Sequence, residues 1–324
     1  MSVDYWQILR DTSRTFYLSM RRLPAEIGMS LGLAYLMLRV SDYLEDTETL
    51  EPCRKVELLG LWEQVLSGAV PAENLQRELG PPADGEHDYQ AAEAAGAILE
   101  WVRSLPGTLR AIILRHVVAS TRGMARWVAR GPDIETEADM DDYMHEVAGR
   151  VGYLSTEVFA FHSPMVRSRI HTLMPLARET GLALQTVNII RGLRKDYERG
   201  WIYVPRSFCR EVGISRRELF DPARADQAVM VLDRLVAKAE RHLEAAISYV
   251  LHLPRGLYQI RLACIWPLLF AVRTLAISRG NAKVFEREIK VPRREIERIV
   301  RHSALFGWSN RWIRTYVQML QQQP

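Results

Sequence analysis

The sequence has few cysteines, no long hydrophobic run and little excess charge. Its 324 residues include three cysteines, Cys53, Cys209 and Cys264, which stand far apart without CxxC spacing. Such cysteines predict a reducing compartment, no disulfide framework and no zinc site. The eight histidines show no HxxxH or HExxH spacing, so no histidine-based metal site is expected either.

No stretch predicts a membrane span or an export signal. The most apolar run, Leu262 to Val272, is bounded by Arg261 and Arg273 and is too short to cross a bilayer. The first residues carry acids and lack the apolar core of a signal peptide. We therefore expect a cytoplasmic protein. Peripheral membrane contact is left open at Trp308 and Trp312, where the alternative is a terminal packing helix.

The charge balance does not favour a nucleic-acid partner. The net charge is +4, from 43 basic and 39 acidic residues, and no basic run or recognisable nucleic-acid module is present. Arginine greatly outnumbers lysine. That excess suits the bidentate recognition of phosphate or diphosphate, although a genome-wide preference for arginine codons explains it equally well. The oligomeric state is not indicated.

What is present is a helical pattern along the whole chain. Apolar residues recur at three- and four-residue spacing, alternating runs are scarce, and prolines punctuate the pattern. No repeat or polar linker is visible, so we expect one all-α domain over residues 1–324. Ala69–Glu86, rich in proline and glycine, is predicted as a loop. The predicted helices span 3–21, 25–48, 52–68, 87–103, 107–130, 137–162, 166–198, 223–251, 255–280 and 292–320.

One helical stretch, Leu31 to Asp46, begins apolar on nearly every side and ends with a charged face. Helical spacing puts Tyr35, Arg39, Asp42 and Asp46 on one side of it. Two carboxylates on an otherwise buried face are costly unless a cation lies between them. Mg²⁺, which prefers carboxylate, water and phosphate oxygens, is the expected cation. The alternative is an ordinary solvated acidic pair.

Two further stretches carry polar groups at suggestive places. Ser13-Arg14-Thr15-Phe16 predicts a hydroxyl and guanidinium cluster facing a phosphate, or else a polar patch on an amphipathic helix. The second stretch runs from Tyr143 through small residues to Gly152. The small residues permit close approach of another helix or of a ligand. Tyr143 would project toward that space, unless it is a core residue with a satisfied hydroxyl.

The helix predicted over 166–198 carries a fourth polar group. Asn188, Gly192 and Asp196 line one face, so Asn188 and Asp196 can both offer oxygen to a metal. Gln185 extends this row by one turn, and Arg191 flanks it. The alternative is a charged helix end, in which cations meet the negative end of the helix dipole.

Together and in this order, the four stretches resemble the squalene/phytoene synthase family over nearly the whole chain. Ser13 to Phe16 resembles the family's Ser-Arg-x-Phe, and Tyr35 to Asp46 is similar to its first aspartate-rich motif. Tyr143 to Gly152 resembles Tyr-x-x-x-Val-Ala-Gly-x-Val-Gly, and Gly181 to Arg191 resembles the approach to the second aspartate-rich motif.

The resemblance implies an all-α isoprenoid synthase fold around a central cavity, with two metal-binding helices that hold a prenyl diphosphate. It implies a proton-transfer role for Tyr143, beside Arg39, Asp42 and Asp46 as catalytic residues. The expected Mg²⁺ ligands are Asp42, Asp46, Asn188 and Asp196. The expected diphosphate contacts are Ser13, Arg14, Thr15, Arg39, Gln185 and Arg191.

The reaction implied by the resemblance joins two farnesyl diphosphates head to head through presqualene diphosphate. Reduction by NADPH then gives squalene, but no residue of this chain is assigned to NADPH. The second motif departs from the family pattern, since Gly192 and Lys195 replace acids. What remains is similar to the Asn-Ser-Glu metal triad of class I terpene synthases. Ala263 and Leu268 replace an aromatic residue and a glutamine, at positions tied to the second half of the reaction.

Two alternatives therefore stay open. The protein could ionise a single prenyl diphosphate and cyclise it, hydrate it or pass it to another acceptor. It could also be a non-catalytic relative that acts in assembly, but the complete first motif argues against this, since buried like charges would serve no purpose there.

Overall fold

The fold is described from a computed structural model that covers residues 5–12, 14–80 and 88–323, without the side chains of Arg14 and Thr15. The described residues form helices and no strand, which confirms the all-α class. The α-helices α1 to α17 are, in chain order, Tyr5–Thr12, Arg14–Arg22, Ala25–Asp46, Pro52–Ser67, Ala72–Glu78, Tyr89–Glu93, Ala95–Arg103, Gly107–Arg130, Glu137–Met144, Arg150–His162, Pro164–Arg167, Ile170–Glu198, Arg206–Arg210, Ala225–His252, Tyr258–Ser278, Arg293–Phe306 and Asn310–Gln322.

The predicted loop Ala69–Glu86 is wrong in part, because α5 lies inside it. Pro71 precedes this helix, where its fixed backbone angle suits a helix start. Leu75, with no exposed surface, anchors the helix in the core. The helix has only two turns and one buried leucine, and periodicity alone cannot predict a helix from so short a pattern.

The chain divides into two compact units. Unit 1 consists of Met1–Gly131 and Tyr153–Ile170, and unit 2 of Pro132–Gly152 and His171–Pro324. The assignment of the whole chain to a single domain stays a prediction.

Helix α3 lies at the centre of unit 1. It contacts α1, α2, α4, α6, α7 and α8, so a helix surrounded on nearly every side must be apolar on nearly every side. Its few inward polar groups are paired; the Ser41 and Thr121 hydroxyls lie 2.8 Å apart. The apolar start of the Leu31–Asp46 stretch therefore reflects its central position.

Glycines bring two helical segments of unit 2 into backbone contact. A Cβ on Gly152 would lie 2.1 Å from the carbonyl oxygen of Ala177, and one on Gly181 would lie 2.3 Å from that of Ala148. The small residues after Tyr143 thus admit helix α12 rather than a ligand. A π-helical turn, His145–Gly149, separates α9 from α10 at this contact.

Helix α15 is longer than the apolar run in the sequence suggests. At 21 residues it is long and apolar enough to cross a membrane, but 67% of its most apolar window is buried, as in the core helix of a globular protein. Arg261 and Arg273 bound the run in the sequence, but they do not end the helix. Both are buried within the helix, Arg261 against backbone carbonyls and Arg273 against Glu295.

Changing Gly152 to alanine is expected to lower the free energy of unfolding by about 1–3 kcal/mol, because the new methyl group overlaps a backbone carbonyl that cannot move without shifting α12. The matched control is Gly60→Ala in α4, where no atom lies within 4 Å of the added Cβ. There alanine should be neutral or stabilise the helix by up to about 1 kcal/mol. Urea unfolding of both variants tests this, and equal midpoints would contradict the packing.

Candidate functional site

From Leu31 onward, the charged face of α3 is the part of the helix that its neighbours leave uncovered. From Leu31 to Asp46 every residue is buried except Tyr35, Arg39, Asp42 and Asp46. We call these four residues the α3 stripe. Glu45, although adjacent in sequence, is 5% exposed and lies outside the stripe. The face predicted from helical spacing is therefore the one that the fold leaves open.

Arg39 lies between two carboxylates. Its Nη1 donates a hydrogen bond to Asp42 Oδ2 at 2.6 Å, and its Nε lies 3.3 Å from Asp88 Oδ1. The guanidinium also lies over the ring of Tyr35, 5.4 Å from its centre. Burial by itself would lower the pKa of Arg39, but the neighbouring negative charges, chiefly Asp42, raise it above its ordinary value. Arg39 is thus held charged and oriented on two sides.

The carboxyl group of Asp42 has a raised pKa. Burial raises the pKa of its carboxyl to about 6; Arg39 opposes the rise, while Asp46 and Asp88 add to it. Its side chain is 29% exposed, so one edge faces solvent. A carboxylate that is partly desolvated beside two others has a strong electrostatic reason to accept a cation.

The beginning of α2 lies next to the stripe. The hydroxyl of Tyr35 lies 3.5 Å from the carbonyl oxygen of Thr12, at hydrogen-bond distance, and its ring lies 5.7 Å from that of Phe16. The residues expected to contact diphosphate here lie outside the description: Ser13 entirely, and Arg14 and Thr15 in their side chains. Their roles stay predictions.

In unit 2, Tyr143 is a buried residue of an aromatic stack. It is 4% exposed, its hydroxyl donates to that of Tyr203 at 3.1 Å, and the two rings stack with centres 4.7 Å apart. The ring of Trp201 in turn stacks on that of Tyr203, with centres 5.6 Å apart. The hydroxyl of Tyr143 is therefore oriented by a second phenol, through which a proton could pass.

Helix α12 carries the other predicted polar row. Asn188 is exposed, and Gln185 and Asp196 are half-buried. The carboxylate of Asp196 leans over Gly192, since its Oδ2 would lie 3.5 Å from a Cβ on that glycine. Asp196 is also paired with Arg199, Nη2 to Oδ1 at 2.7 Å. The row offers oxygen atoms, but its one acid already faces a cation.

Arg191 is paired as well. Its Nε lies 3.3 Å from Oε1 of Glu288, which Lys290 also contacts at 2.8 Å. A diphosphate bound at Arg191 would therefore compete with Glu288 for the guanidinium.

A separate cavity of unit 2 has a volume of about 470 Å³ and is lined by Arg206, Arg210, Arg216 and neighbouring residues. Asp133 pairs with Arg206 at 2.5 Å and Arg216 at 2.8 Å. Of the predicted site residues whose side chains the structure describes, none lines it. The central cavity implied by the family resemblance stays a prediction.

Sequence reasoning did not find four partners of the predicted residues: Asp88, Arg199, Tyr203 and Glu288. Asp88 is the residue that precedes α6, and no sequence spacing relates it to Arg39. Only Arg199, three residues after Asp196 and directly after the end of α12, carried a local signal, the i,i+3 charge pair.

The sequence matches the family model of squalene/phytoene synthase over residues 9–295. The chain belongs to the squalene/phytoene synthase family. Squalene synthase of Schizosaccharomyces pombe is 28% identical over 303 residues, which cover 92% of this chain and 64% of that protein. Squalene synthase of Homo sapiens is 27% identical over 289 residues, covering 88% and 66%. The chain thus spans about two thirds of the length of these relatives.

A solved structure of TcSQS in complex with the ligand BPH1237 has the same fold as this chain. Its TM-score is 0.85 at 23% sequence identity, and the match covers 99% of this chain and 91% of that one. The likeness supports the isoprenoid synthase fold expected from the motifs.

The raised pKa of Asp42 predicts a stability cost at neutral pH. Between pH 4 and 6 the folded state holds a proton that the unfolded chain releases, so stability falls as pH rises through that window and stays lower above it. In metal-free protein, Asp42→Asn should therefore raise the free energy of unfolding by about 1–3 kcal/mol at pH 7.5. Below pH 4 it should change little.

Asp233→Asn, at an exposed carboxylate of α14, is the control and should change stability at neither pH. Urea unfolding at the two pH values measures the effect. An Asp42→Asn variant that is less stable at pH 7.5 would show that Asp42 is a structural ion-pair partner and not a destabilised ligand.

Proposed function

We propose that this protein is a Mg²⁺-dependent transferase that ionises farnesyl diphosphate and condenses two molecules head to head, through presqualene diphosphate, toward squalene. The observation that carries the proposal is the α3 stripe. A helix that is otherwise covered by its neighbours leaves open two carboxylates, one arginine and one tyrosine. Membership of the squalene/phytoene synthase family supports the same reaction class.

The arrangement on α3 suits the departure of a diphosphate. Negative charge develops on the leaving group, and Arg39 can stabilise it because the carboxylates of Asp42 and Asp88 fix its guanidinium before the substrate arrives. Preorganised charge of this kind does not have to be reoriented during the reaction. Asp88 is therefore proposed as the residue that positions Arg39.

The donor set of the stripe fits Mg²⁺. Asp42 and Asp46 are one helical turn apart. Burial, and then the neighbouring like charges, raise the pKa of Asp42, and a divalent cation would relieve this cost. Within the described ranges, no three His, Cys, Asp or Glu side chains form a cluster that could hold an ion alone. Water and diphosphate oxygens would complete the shell, as Mg²⁺ prefers. When bound, the ion would withdraw electrons from the leaving diphosphate.

In unit 2, Asn188 and Asp196 are proposed as the ligands of a reduced second metal site. Asp196 would have to share its carboxylate with Arg199, so this site should bind more weakly than the stripe. Gln185 and Arg191 are proposed diphosphate contacts, the latter after release of Glu288. Tyr143 is proposed to move a proton, with the Tyr203 hydroxyl at 3.1 Å as its relay.

Completion of the reaction to squalene would need hydride from NADPH, and the chain offers weaker support for that half. Leu268 is 1% exposed and apolar, in place of the glutamine that the family resemblance leads one to expect, and Ala263 contributes no ring. A cytoplasmic location with peripheral membrane contact is part of the proposal, since the product is a lipid.

The single-ionisation alternative rests on the altered α12 row. On α12, Gly192 lies beside Asp196, and Asp196 is already paired with Arg199. The helix therefore lacks the ordinary acidic motif of the family. A terpene synthase or prenyltransferase reaction would need the α3 stripe but not a head-to-head condensation. The non-catalytic alternative would need neither the stripe nor the condensation.

Product identification tests the proposal. Purified protein is incubated with farnesyl diphosphate and Mg²⁺, with and without NADPH, and the organic extract is analysed by mass spectrometry. We expect presqualene diphosphate without NADPH and a C30 product when the hydride donor is present. Asp42→Asn should lower turnover at least 100-fold, or about 3 kcal/mol, while Asp233→Asn should not.

A C15 alcohol or cyclic terpene would contradict head-to-head condensation and support single ionisation. Turnover by Asp42→Asn equal to that of the unchanged protein would refute the assigned role of the stripe. No turnover at all, together with no binding of Mg²⁺ and diphosphate, would support the non-catalytic alternative.

A further inference from the structure

The junction between α16 and α17 presents large apolar side chains to solvent. Leu305 is 65% exposed, Phe306 47% and Trp308 56%. We call residues 304–312 the C-terminal corner. Eight large hydrophobic residues are exposed in the described part of the chain, and three of them fall within the four consecutive positions 305–308. Single exposed apolar residues are ordinary, but a cluster indicates a binding surface.

The corner is held firmly from beneath. The fully buried Arg261 donates to the carbonyl oxygens of Val250 and Leu253, at 2.9 and 2.6 Å, and to Asn310 Oδ1 at 2.8 Å. The hydroxyl of Tyr258 lies 2.9 Å from the carbonyl of Ser303. The exposed side chains therefore stand on a fixed support and are not the loose end of a chain.

The segments that build the corner and the helices around it are basic. Neither 245–285 nor 298–324, the segments that build α15, α17, most of α16 and the end of α14, includes an Asp or Glu. Arg255, Arg301, Arg311 and Arg314 are exposed in these segments. In the whole chain, by contrast, acids nearly balance bases, 39 against 43. Segregation of charge on this scale creates a field that attracts anions.

We propose that the C-terminal corner docks on an anionic lipid surface. Leu305, Phe306 and Trp308 would enter the boundary between headgroups and acyl chains, where tryptophan is favoured. The exposed arginines would contact lipid phosphates, and absence of carboxylates removes the repulsion that would oppose them. The inference rests on the peripheral membrane contact of the proposed function and deepens it by naming the surface and the lipid charge; the binding itself requires no catalysis.

Vesicle co-sedimentation tests the docking directly. The full chain is mixed with vesicles of phosphatidylglycerol and phosphatidylcholine, or of phosphatidylcholine alone, at low and high salt. We expect at least ten-fold more binding to the anionic vesicles, and a loss of most of it at high salt because exposed charges are then screened. Binding that is absent, or equal for the two lipids, would overturn the proposal.

Variants locate the contact. Trp308→Asp should reduce binding to anionic vesicles at least ten-fold. Its matched control is Met230→Asp on α14, at a residue with the same 56% exposure, which should bind as the unchanged protein does. An equal loss in both variants would overturn the assignment to the corner.

A charge variant keeps the test informative if Trp308→Asp fails to fold. The double change Arg311→Gln and Arg314→Gln should reduce anionic binding, while Arg293→Gln and Arg294→Gln, near Glu295 and Glu297, should not. All four variants should turn over farnesyl diphosphate in detergent, so that a failure of docking is distinguishable from a failure of the proposed function. If the corner variants change only the mass in sedimentation velocity, the surface joins two copies of the chain and the proposal is refuted.

Discussion

The ion pair of Arg39 with Asp42 is the interaction on which the candidate site depends. Arg39 lies on the open face of α3, a helix with neighbours on its other sides, and it pairs with Asp42 on one side and with Asp88 on the other. Without the arginine, Asp42, Asp46 and Asp88 would repel one another in a poorly hydrated place. Even with it, burial and then the neighbouring carboxylates raise the pKa of Asp42 to about 6, so the pair only partly offsets these two effects.

This residual conflict connects stability with function. A fold that needed only stability would place an apolar or singly charged residue at Asp42, since replacing buried ion pairs by packed apolar groups is often neutral or favourable. The stripe instead keeps two carboxylates one turn apart at the open edge of α3. In unit 2 the acid of α12 is already matched by Arg199. We therefore assign the proposed ionisation chemistry mainly to the stripe.

Helical periodicity was enough to predict the α3 stripe, because a buried helix leaves no choice about which residues share its one open face. It also predicted the close packing at Gly152, although not whether a helix or a ligand would use the space. It could not find Asp88, whose position beside Arg39 results from the packing of α6 on α3. Nor could it place Arg261 inside α15, because burial of an arginine depends on carbonyl groups from α14 that only the fold supplies.

Calorimetry of Mg²⁺ and inorganic pyrophosphate binding tests the central claim most directly, at pH 6 in two buffers of different ionisation enthalpy. Because Asp42 is about half protonated at that pH, binding should release protons and its heat should depend on the buffer. Pyrophosphate also releases protons when it binds Mg²⁺, so Asp42 is tested by the difference between variants. Asp42→Asn should release fewer protons than the unchanged protein and bind at least ten-fold more weakly, and Asp88→Asn should weaken binding without abolishing it. Equal binding and equal proton release by the unchanged protein and Asp42→Asn would contradict the account.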